Sequence, residues 1–233
     1  MIKLVVVSPC FNEQDIIHQS IVKLLSVLDT YATSKRISMD SYILLVDDGS
    51  VDNTWSIIQD ENKKDYRVKA IRLSQNCGHQ IALYAGMMSA KDNVDAVITI
   101  DADLQDDLDA IDAMLNYFES GYDIVCGVKN NRSNDGLAKR SFARLYYHLL
   151  KALQIKTIND HADFRLLSKR ALDELSRYKE RNLYLRGLIP LLGLPIATVD
   201  DVIEKREKGD SKFTIQNLLF TKKYPFAIII NRK

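Results

Sequence analysis

Three short apolar runs rich in β-branched residues punctuate the first half of the chain, Ile2 to Val7, Tyr42 to Val46 and Val94 to Ile100, and Val68 to Leu73 and Ile124 to Val128 add two plausible strands. Continuous apolar runs of this length read as strands of a parallel sheet, where both faces are covered and the usual in–out alternation is lost. Between them, apolar residues recur at three and four. Ile16, Ile17, Ile21, Leu24, Leu25 and Leu28 form one face of a first helix, and Trp55 and Ile58 suit a second that Ser50 or Asp52 would cap. Residues 80–90 read as a third helix, and Leu108, Ile111, Met114, Leu115 and Phe118 mark a fourth. Strands alternating with helices predict an α/β fold with a mostly parallel, Rossmann-like central sheet flanked by helices. Beyond residue 129 the pattern changes to a polar loop (129–138), an amphipathic helix over 140–153, two apolar stretches (189–194 and 196–203) and the charged segment EKREKGDSKF. With no internal repeat and no Gly/Ser linker, a second independent domain is not expected.

In open α/β sheets, ligands sit outside the carboxyl ends of the strands. The polar punctuation falls at those ends: Ser8-Pro9-Cys10-Phe11-Asn12-Glu13, Asp47-Asp48-Gly49-Ser50 and Asp101-Ala102-Asp103. Three strand ends are therefore expected to converge on one crevice. Asp101 and Asp103, two apart in an extended chain, leave on the same face and repel unless a cation or proton lies between them. A hard cation such as Mg²⁺ takes a few protein oxygens and completes its shell with water and phosphate. Asp106 and Asp107, in contrast, suit the start of the following helix. Asp47 and Asp48 in VDDGS fit a metal, or a ring N–H and a ribose hydroxyl; an Asx-type turn with Gly49 supplying unusual backbone angles fits equally. Pro9, Asn12 and Glu13 could serve only to end a strand and start a helix.

Composition adds bounds. A chain of 233 residues with 46% hydrophobic content suffices for one large domain with a sizeable core. Lys plus Arg number 32 against 31 for Asp plus Glu, so the net charge identifies no partner. Acid concentrates before residue 125 and base after it, with Lys129, Arg132, Lys139, Arg140, Arg144 and Lys151 close together. A basic half facing an acidic pocket suits an anionic ligand bridged by a cation. Cys10, Cys77 and Cys126 have no CxxC spacing and read as small buried thiols of a reducing compartment. The start MIKLVVVSPCFNE does not read as a leader, and no segment approaches the roughly 20 apolar residues of a spanning helix. A soluble, intracellular chain is expected.

Taken in order, PCFNE, VDDGS, LSQNCGHQIALYAGM, ITIDADLQDD, DFRLLSKRALDEL, ERNLYLRGL and REKGDSKF resemble the inverting GT-A glycosyltransferases of family 2, and more narrowly its polyprenyl-phosphate branch. The resemblance runs from Val5 to about Phe213, and GHQ, DFRLLS and GxSK are more specific than DxD. It implies a catalytic domain over residues 1–213 that moves one sugar from a UDP- or GDP-linked donor to a polyprenyl phosphate. Pro9, Phe11 (usually Tyr), Glu13, Gly78 and Ala102 would line the nucleotide-sugar pocket, with Asp48 on the base. Asp101, Asp103 and Gln105 would hold Mg²⁺ or Mn²⁺ against the diphosphate. Asp163, with Asp103 the catalytic pair, would lie near sugar and acceptor. Arg206, Ser211 and Lys212 would close over phosphates, and Arg132 and Arg140 would meet the acceptor phosphate. The implied setting is the cytoplasmic face of a membrane, the enzyme peripheral there and able to form homo-oligomers, with no nucleic-acid partner.

The chemistry is coherent. A divalent ion with Arg and Lys stabilises charge on a nucleoside-diphosphate leaving group. A phosphomonoester, with a second pKa of about 6, is already a good nucleophile at neutral pH. Asp163 is therefore expected to position rather than to abstract a proton. Two features depart from the family: His161-Ala162 precede Asp163 where Gly is usual, and the chain stops at FTKKYPFAIIINRK. The tail at 214–233 fits an interfacial segment flanked by Lys and Arg, or a last strand or helix packed on the core. A transferase acting on a saccharide hydroxyl, a haloacid-dehalogenase-like phosphatase and a non-catalytic nucleotide-binding module are the alternatives.

Overall fold

The computed structural model describes residues 1–129, 161–178, 184–201 and 227–230. The helix expected over 140–153 lies outside them.

Among the described residues, eight strands form one sheet: β1 (Leu4–Cys10), β2 (Tyr42–Asp47), β3 (Val68–Leu73), β4 (Ala96–Thr99), β5 (Ile124–Lys129), β6 (His161–Ser168), β7 (Ile196–Asp201) and β8 (Ala227–Ile230). Their spatial order is β7-β5-β6-β4-β1-β2-β3-β8. Pairings β1–β2, β1–β4, β2–β3 and β5–β7 are parallel, which makes the sheet mostly parallel as expected. The helices are α1 (Ile17–Thr33), α2 (Thr54–Lys64), α3 (His79–Ala90), α4 (Ala110–Glu119), α5 (Lys169–Leu175) and a single turn, α6 (Leu185–Leu188).

The central strands β1, β2 and β4 are almost wholly apolar because each face has its own core. Successive residues of β1 alternate between two clusters: Leu4 and Val6 face α1, α2 and α4, whereas Val5 and Val7 face α3 and α5. Ile43 and Leu45 of β2, and Ile98 of β4, join the first cluster; Leu44, Val46 and Val97 join the second. Burying each large aliphatic side chain in this way contributes about 1.5–3 kcal/mol. Helix α3 lies unusually close to the sheet, because Gly86 faces it. A Cβ at that position would sit 2.5 Å from Val7 Cγ1 and 2.8 Å from Val46 Cγ2. The glycine lets the N-terminus of α3 reach the carboxyl ends of β1 and β2.

The structure departs from the sequence pattern in some elements and completes it in others. β6 runs antiparallel between β4 and β5, pairing Thr99 with Arg165 and Val125 with Leu166, although its residues do not form a continuous apolar run. β7 forms from the second of the late apolar stretches, and β8 lies antiparallel along β3. Helix α2 begins at Thr54: Asp52 accepts from the Thr54 amide at 2.9 Å, while Ser50 accepts from Asn12 instead. The fourth helix begins later than the acidic run suggests. Asp107 accepts from the Asp109 amide in the turn before α4, and Asp106 is buried. Of the three thiols, Cys10 and Cys126 are buried as expected, but Cys77 is only half-buried. No helix of the described residues is long and apolar enough to cross a membrane.

Candidate active site

Because β4, β1 and β2 are parallel neighbours, their carboxyl ends open on one rim, as the sequence predicts. The segment after β1 is bolted to the segment after β2. Asn12, at φ 54°, accepts at Oδ1 from the Val51 amide, and its own N–H donates to Ser50 Oγ. The Glu13 amide donates to Thr54 Oγ1 at 2.8 Å. Glu13 also starts α1, its carbonyl accepting from the amides of Ile16 and Ile17. Pro9 is buried within β1, whereas Phe11 and Glu13 are half-exposed at the rim.

Asp48 ties this rim to α3. Its Oδ1 accepts from the Cys77 amide at 2.7 Å and its Oδ2 from the Gly78 amide at 2.9 Å. Burial raises its pKa from the ordinary carboxylate value, and the two amides oppose that rise. Gly78 stands at φ 95°, ψ 151°, backbone that only glycine adopts readily. Gly49, at φ 73°, packs so tightly that a Cβ would lie 2.6 Å from the carbonyl carbon of Gln75. The VDDGS turn is thus both an Asx-type turn, with Asp47 Oδ1 accepting from the Ser50 amide, and the seat of the 75–78 loop. Asp47 itself is fully buried and paired with Arg72 Nε at 3.2 Å, which removes it from the candidate ligands.

Asp101 and Asp103 follow β4 on a sharp turn. Leu104 is at φ 48°, its amide donating to the Asp101 carbonyl at 3.1 Å. Ala102 is buried, its carbonyl accepting from Ser20 Oγ, so the backbone between the two acids is held. The Gln105 amide lies 3.4 Å from Asp103 Oδ1. No three His, Cys, Asp or Glu side chains among the described residues are gathered closely enough to hold an ion. Two carboxylates on a fixed turn nevertheless fit Mg²⁺ or Mn²⁺, hard cations that use one or two carboxylates and complete their shell from phosphate and water.

Asp163, almost fully buried at the site end of β6, is the hub. Arg165 Nη2 donates to its Oδ1 from two residues along the strand. Arg186 binds it side-on, Nε 3.3 Å from Oδ1 and Nη2 3.1 Å from Oδ2. Gln80 Nε2 donates to Oδ2 at 3.2 Å, and His79 Nε2 lies 3.3 Å from the same oxygen. His79 Nε2 is also 3.4 Å from Asp101 Oδ1, so one imidazole joins Asp163 to the DxD turn. Burial alone would raise the Asp163 pKa, but His79, Arg165 and Arg186 together hold it far below the usual carboxylate range. For His79, burial acts to lower the pKa; the bond to Asp163 and the charge of Asp101 outweigh it and raise the value.

The structure thus brings Asp48, Gly78, Asp101, Ala102, Asp103, Gln105 and Asp163 to one end of the sheet, with Phe11 and Glu13 beside them. Arg132, Arg140, Arg206, Ser211 and Lys212 lie outside the described residues. His79, Gln80, Arg165 and Arg186 were not anticipated, although each lies in a segment, GHQ, DFRLLS or YLRGL, on which the family resemblance rests.

The model of glycosyl transferase family 2 matches residues 5–176. An uncharacterized glycosyltransferase of Bacillus subtilis, YkoT, is 45% identical over 93% of this chain and 64% of its own. A prophage bactoprenol glucosyl transferase homolog of Escherichia coli is 32% identical over 91% of this chain and 67% of its own. Against YkoT, as against a second B. subtilis relative, YkcC, the chain therefore spans less than two thirds of the relative's length. Among solved structures, glucosyl-3-phosphoglycerate synthase of Mycobacterium tuberculosis superposes with a TM-score of 0.57 at 15% identity, covering 90% of this chain and 72% of that one. A mannosyltransferase of Pyrobaculum calidifontis gives 0.56 at 17% identity, covering 86% and 56%. The family model covers well over half of the sequence, and the chain belongs to glycosyl transferase family 2.

Proposed function

We propose that this chain transfers a single sugar, with inversion, from a nucleotide-sugar donor to a polyprenyl phosphate. One observation carries the choice of acceptor: the carboxylate best placed to serve as a base, Asp163, is enclosed by two guanidiniums, an amide and an imidazole. A carboxylate held so far below its usual pKa is a poor proton acceptor. A sugar hydroxyl needs a base, whereas a phosphomonoester, with a second pKa of about 6, is a dianion already. The bactoprenol glucosyl transferases among the relatives support the same acceptor class.

In this reading the donor's diphosphate meets a Mg²⁺ or Mn²⁺ ion held by Asp101 and Asp103, with Gln105 beside them. The ion would supply Lewis-acid neutralisation of charge on the departing nucleoside diphosphate. Asp48, its oxygens fixed by the Cys77 and Gly78 amides, is directed at the base, with Pro9, Phe11, Glu13, Gly78 and Ala102 lining the pocket. Asp163 holds Arg186, His79 and Gln80 in one arrangement beside the anomeric carbon and takes no proton. Displacement by a phosphate oxygen on the face opposite the leaving group inverts that carbon. Arg132 and Arg140 would receive the acceptor phosphate, and Arg206, Ser211 and Lys212 would close over the reacting groups. Because the acceptor is a membrane lipid, the enzyme works at the cytoplasmic membrane surface.

The test combines the protein with Mn²⁺ or Mg²⁺, a panel of UDP- and GDP-linked sugars and a short polyprenyl phosphate. Glycolipid formation that disappears on chelation and in Asp103→Ala supports the reading. Transfer to a saccharide hydroxyl with no glycolipid, or phosphate release from simple esters, overturns it.

A further inference from the structure

Arg186 uses only one edge of its guanidinium. Nε and Nη2 lie against the two oxygens of Asp163, at 3.3 and 3.1 Å, while no described residue bonds Nη1. The side chain is 46% exposed, against 1% for Arg165 and 8% for Asp163 beneath it. A buried carboxylate thus fixes one edge of a guanidinium whose other two N–H donors face outward. Arg165 and Arg186 together outweigh the single charge of Asp163, so this side of the site carries net positive charge. The DxD turn carries the negative charge on the other side of His79.

The aim of Arg186 does not come from its own helix. α6 is a single turn, anchored by the buried Leu185 and by Gln80, at the start of α3. Gln80 Oε1 accepts from the Leu185 amide at 3.1 Å, and Nε2 donates to Asp163 Oδ2 at 3.2 Å. One amide therefore holds both the backbone beside Arg186 and the carboxylate that Arg186 grips. Only one orientation of the amide satisfies both bonds, since the Leu185 N–H needs an acceptor and the Asp163 carboxylate a donor. From this we infer that Arg186 is a phosphate-contact residue, its outward N–H donors taking a phosphate oxygen, and that Gln80 is the positioning residue that aims it. The assignment rests on the proposed glycosyl transfer only for the source of that phosphate: the lipid acceptor's monoester or the donor's diphosphate. A planar guanidinium donor pair suits either.

The test reads binding, not turnover. Farnesyl phosphate, farnesol and UDP with Mn²⁺ are titrated by calorimetry into the wild-type chain, Arg186→Gln and Gln80→Glu. A charged hydrogen bond of ordinary strength corresponds to a weakening of about 10- to 100-fold. Arg186→Gln is expected to show that loss for farnesyl phosphate or for UDP, and the arm in which it appears identifies the phosphate source. Farnesol, which lacks the phosphate, is expected to bind both proteins alike. Gln80→Glu keeps the acceptor for the Leu185 amide but puts a carboxylate oxygen where a donor meets Asp163. It is expected to weaken the same arm at least threefold while the melting temperature stays close to wild type. Unchanged affinity for both phosphate ligands in folded Arg186→Gln overturns the contact, and unchanged affinity in Gln80→Glu overturns the aiming role. Should Arg186→Gln not fold, Arg186→Lys takes its place, with a threefold loss expected and no loss overturning the contact. A wild-type chain that forms no glycolipid would sink the proposed function, yet these titrations would still decide the role of Arg186.

Discussion

Arg165 donates to Asp163 from two residues along the same strand, so that β6 carries a complete ion pair on the face it turns toward α3. Both side chains are nearly inaccessible to water. Losing Asp163 takes the carboxylate from a fully buried guanidinium, which costs about 3–5 kcal/mol, whereas losing Arg165 leaves Asp163 still held by Arg186, His79 and Gln80. Asp163→Leu is therefore expected to lower unfolding free energy in urea by that order, and Arg165→Met by less. The double variant Arg165→Met/Asp163→Leu is expected to recover much of the loss, so the two single effects will not add.

The same pair fixes a pH dependence. The folded Asp163 pKa lies below its unfolded value of about 3.9. Its contribution to stability is then fully present above roughly pH 4 to 5 and lost only as pH falls through the depressed folded value. The stability gap between wild type and Asp163→Asn is expected to widen as pH falls through the raised pKa of His79, to be flat from about pH 6 down to that range, and to narrow below it. For turnover, Asp163 should produce no acidic limb between pH 5 and 8. With a phosphate acceptor the limb should fall near pH 6, where the phosphomonoester itself gains a proton. A limb that stays in place when a phosphonate of higher second pKa replaces the phosphate would contradict this.

Two glycines set the seat of Asp48. Gly78→Ala meets open space but must adopt φ 95°, and Gly49→Ala meets both φ 73° and backbone 2.6 Å away. Holding a non-glycine residue in such backbone costs of order 1–3 kcal/mol. Both variants are expected to melt lower, Gly49→Ala by more, and both to bind nucleotide less well as the Cys77 and Gly78 amides shift from Asp48. Thermal melts with and without UDP measure both effects.

The thiols should separate by reactivity. Burial, reinforced by the charge of Asp47, pushes Cys10 well above its ordinary pKa, and burial pushes Cys126 up to about 11. Since the thiolate is the reactive form, iodoacetamide at pH 8 is expected to label native protein at the half-buried Cys77 alone. Nucleotide should slow that labelling, because the Cys77 amide holds Asp48. Peptide mass mapping after short exposure checks both points.

How far the sequence could be read follows from the same physics. β1, β2 and β4 are legible because both faces of each are covered, which demands nearly uninterrupted apolar runs, and β3 and β5 follow from their β-branched residues between helical segments. Their carboxyl ends therefore located the crevice. β6 was not legible as a strand, because Asp163 and Arg165 occupy alternate positions that an apolar run would fill, and they compensate each other only once folded. Its antiparallel direction has no periodicity signal at all. Asp101 and Asp103 stood out through their spacing, whereas His79 and Gln80 looked like an ordinary helix start. Their meaning depends on Gly86 letting α3 approach the sheet and on residues far along the chain, Asp163 and Leu185, arriving beside them.

Reversing one strand also divides the molecule's labour. On one side of β6 lie β4, β1, β2 and β3, the strands whose ends carry the VDDGS turn and the DxD acids. On the other lie β5 and β7, and every passage of the chain across that half, at Lys129, His161 and Asp201, meets the rim where the acids stand. Connections at those three points can be lengthened, shortened or exchanged without disturbing a single backbone pairing of the other half. A scaffold wired in this way can vary one half of the rim while leaving the other half untouched.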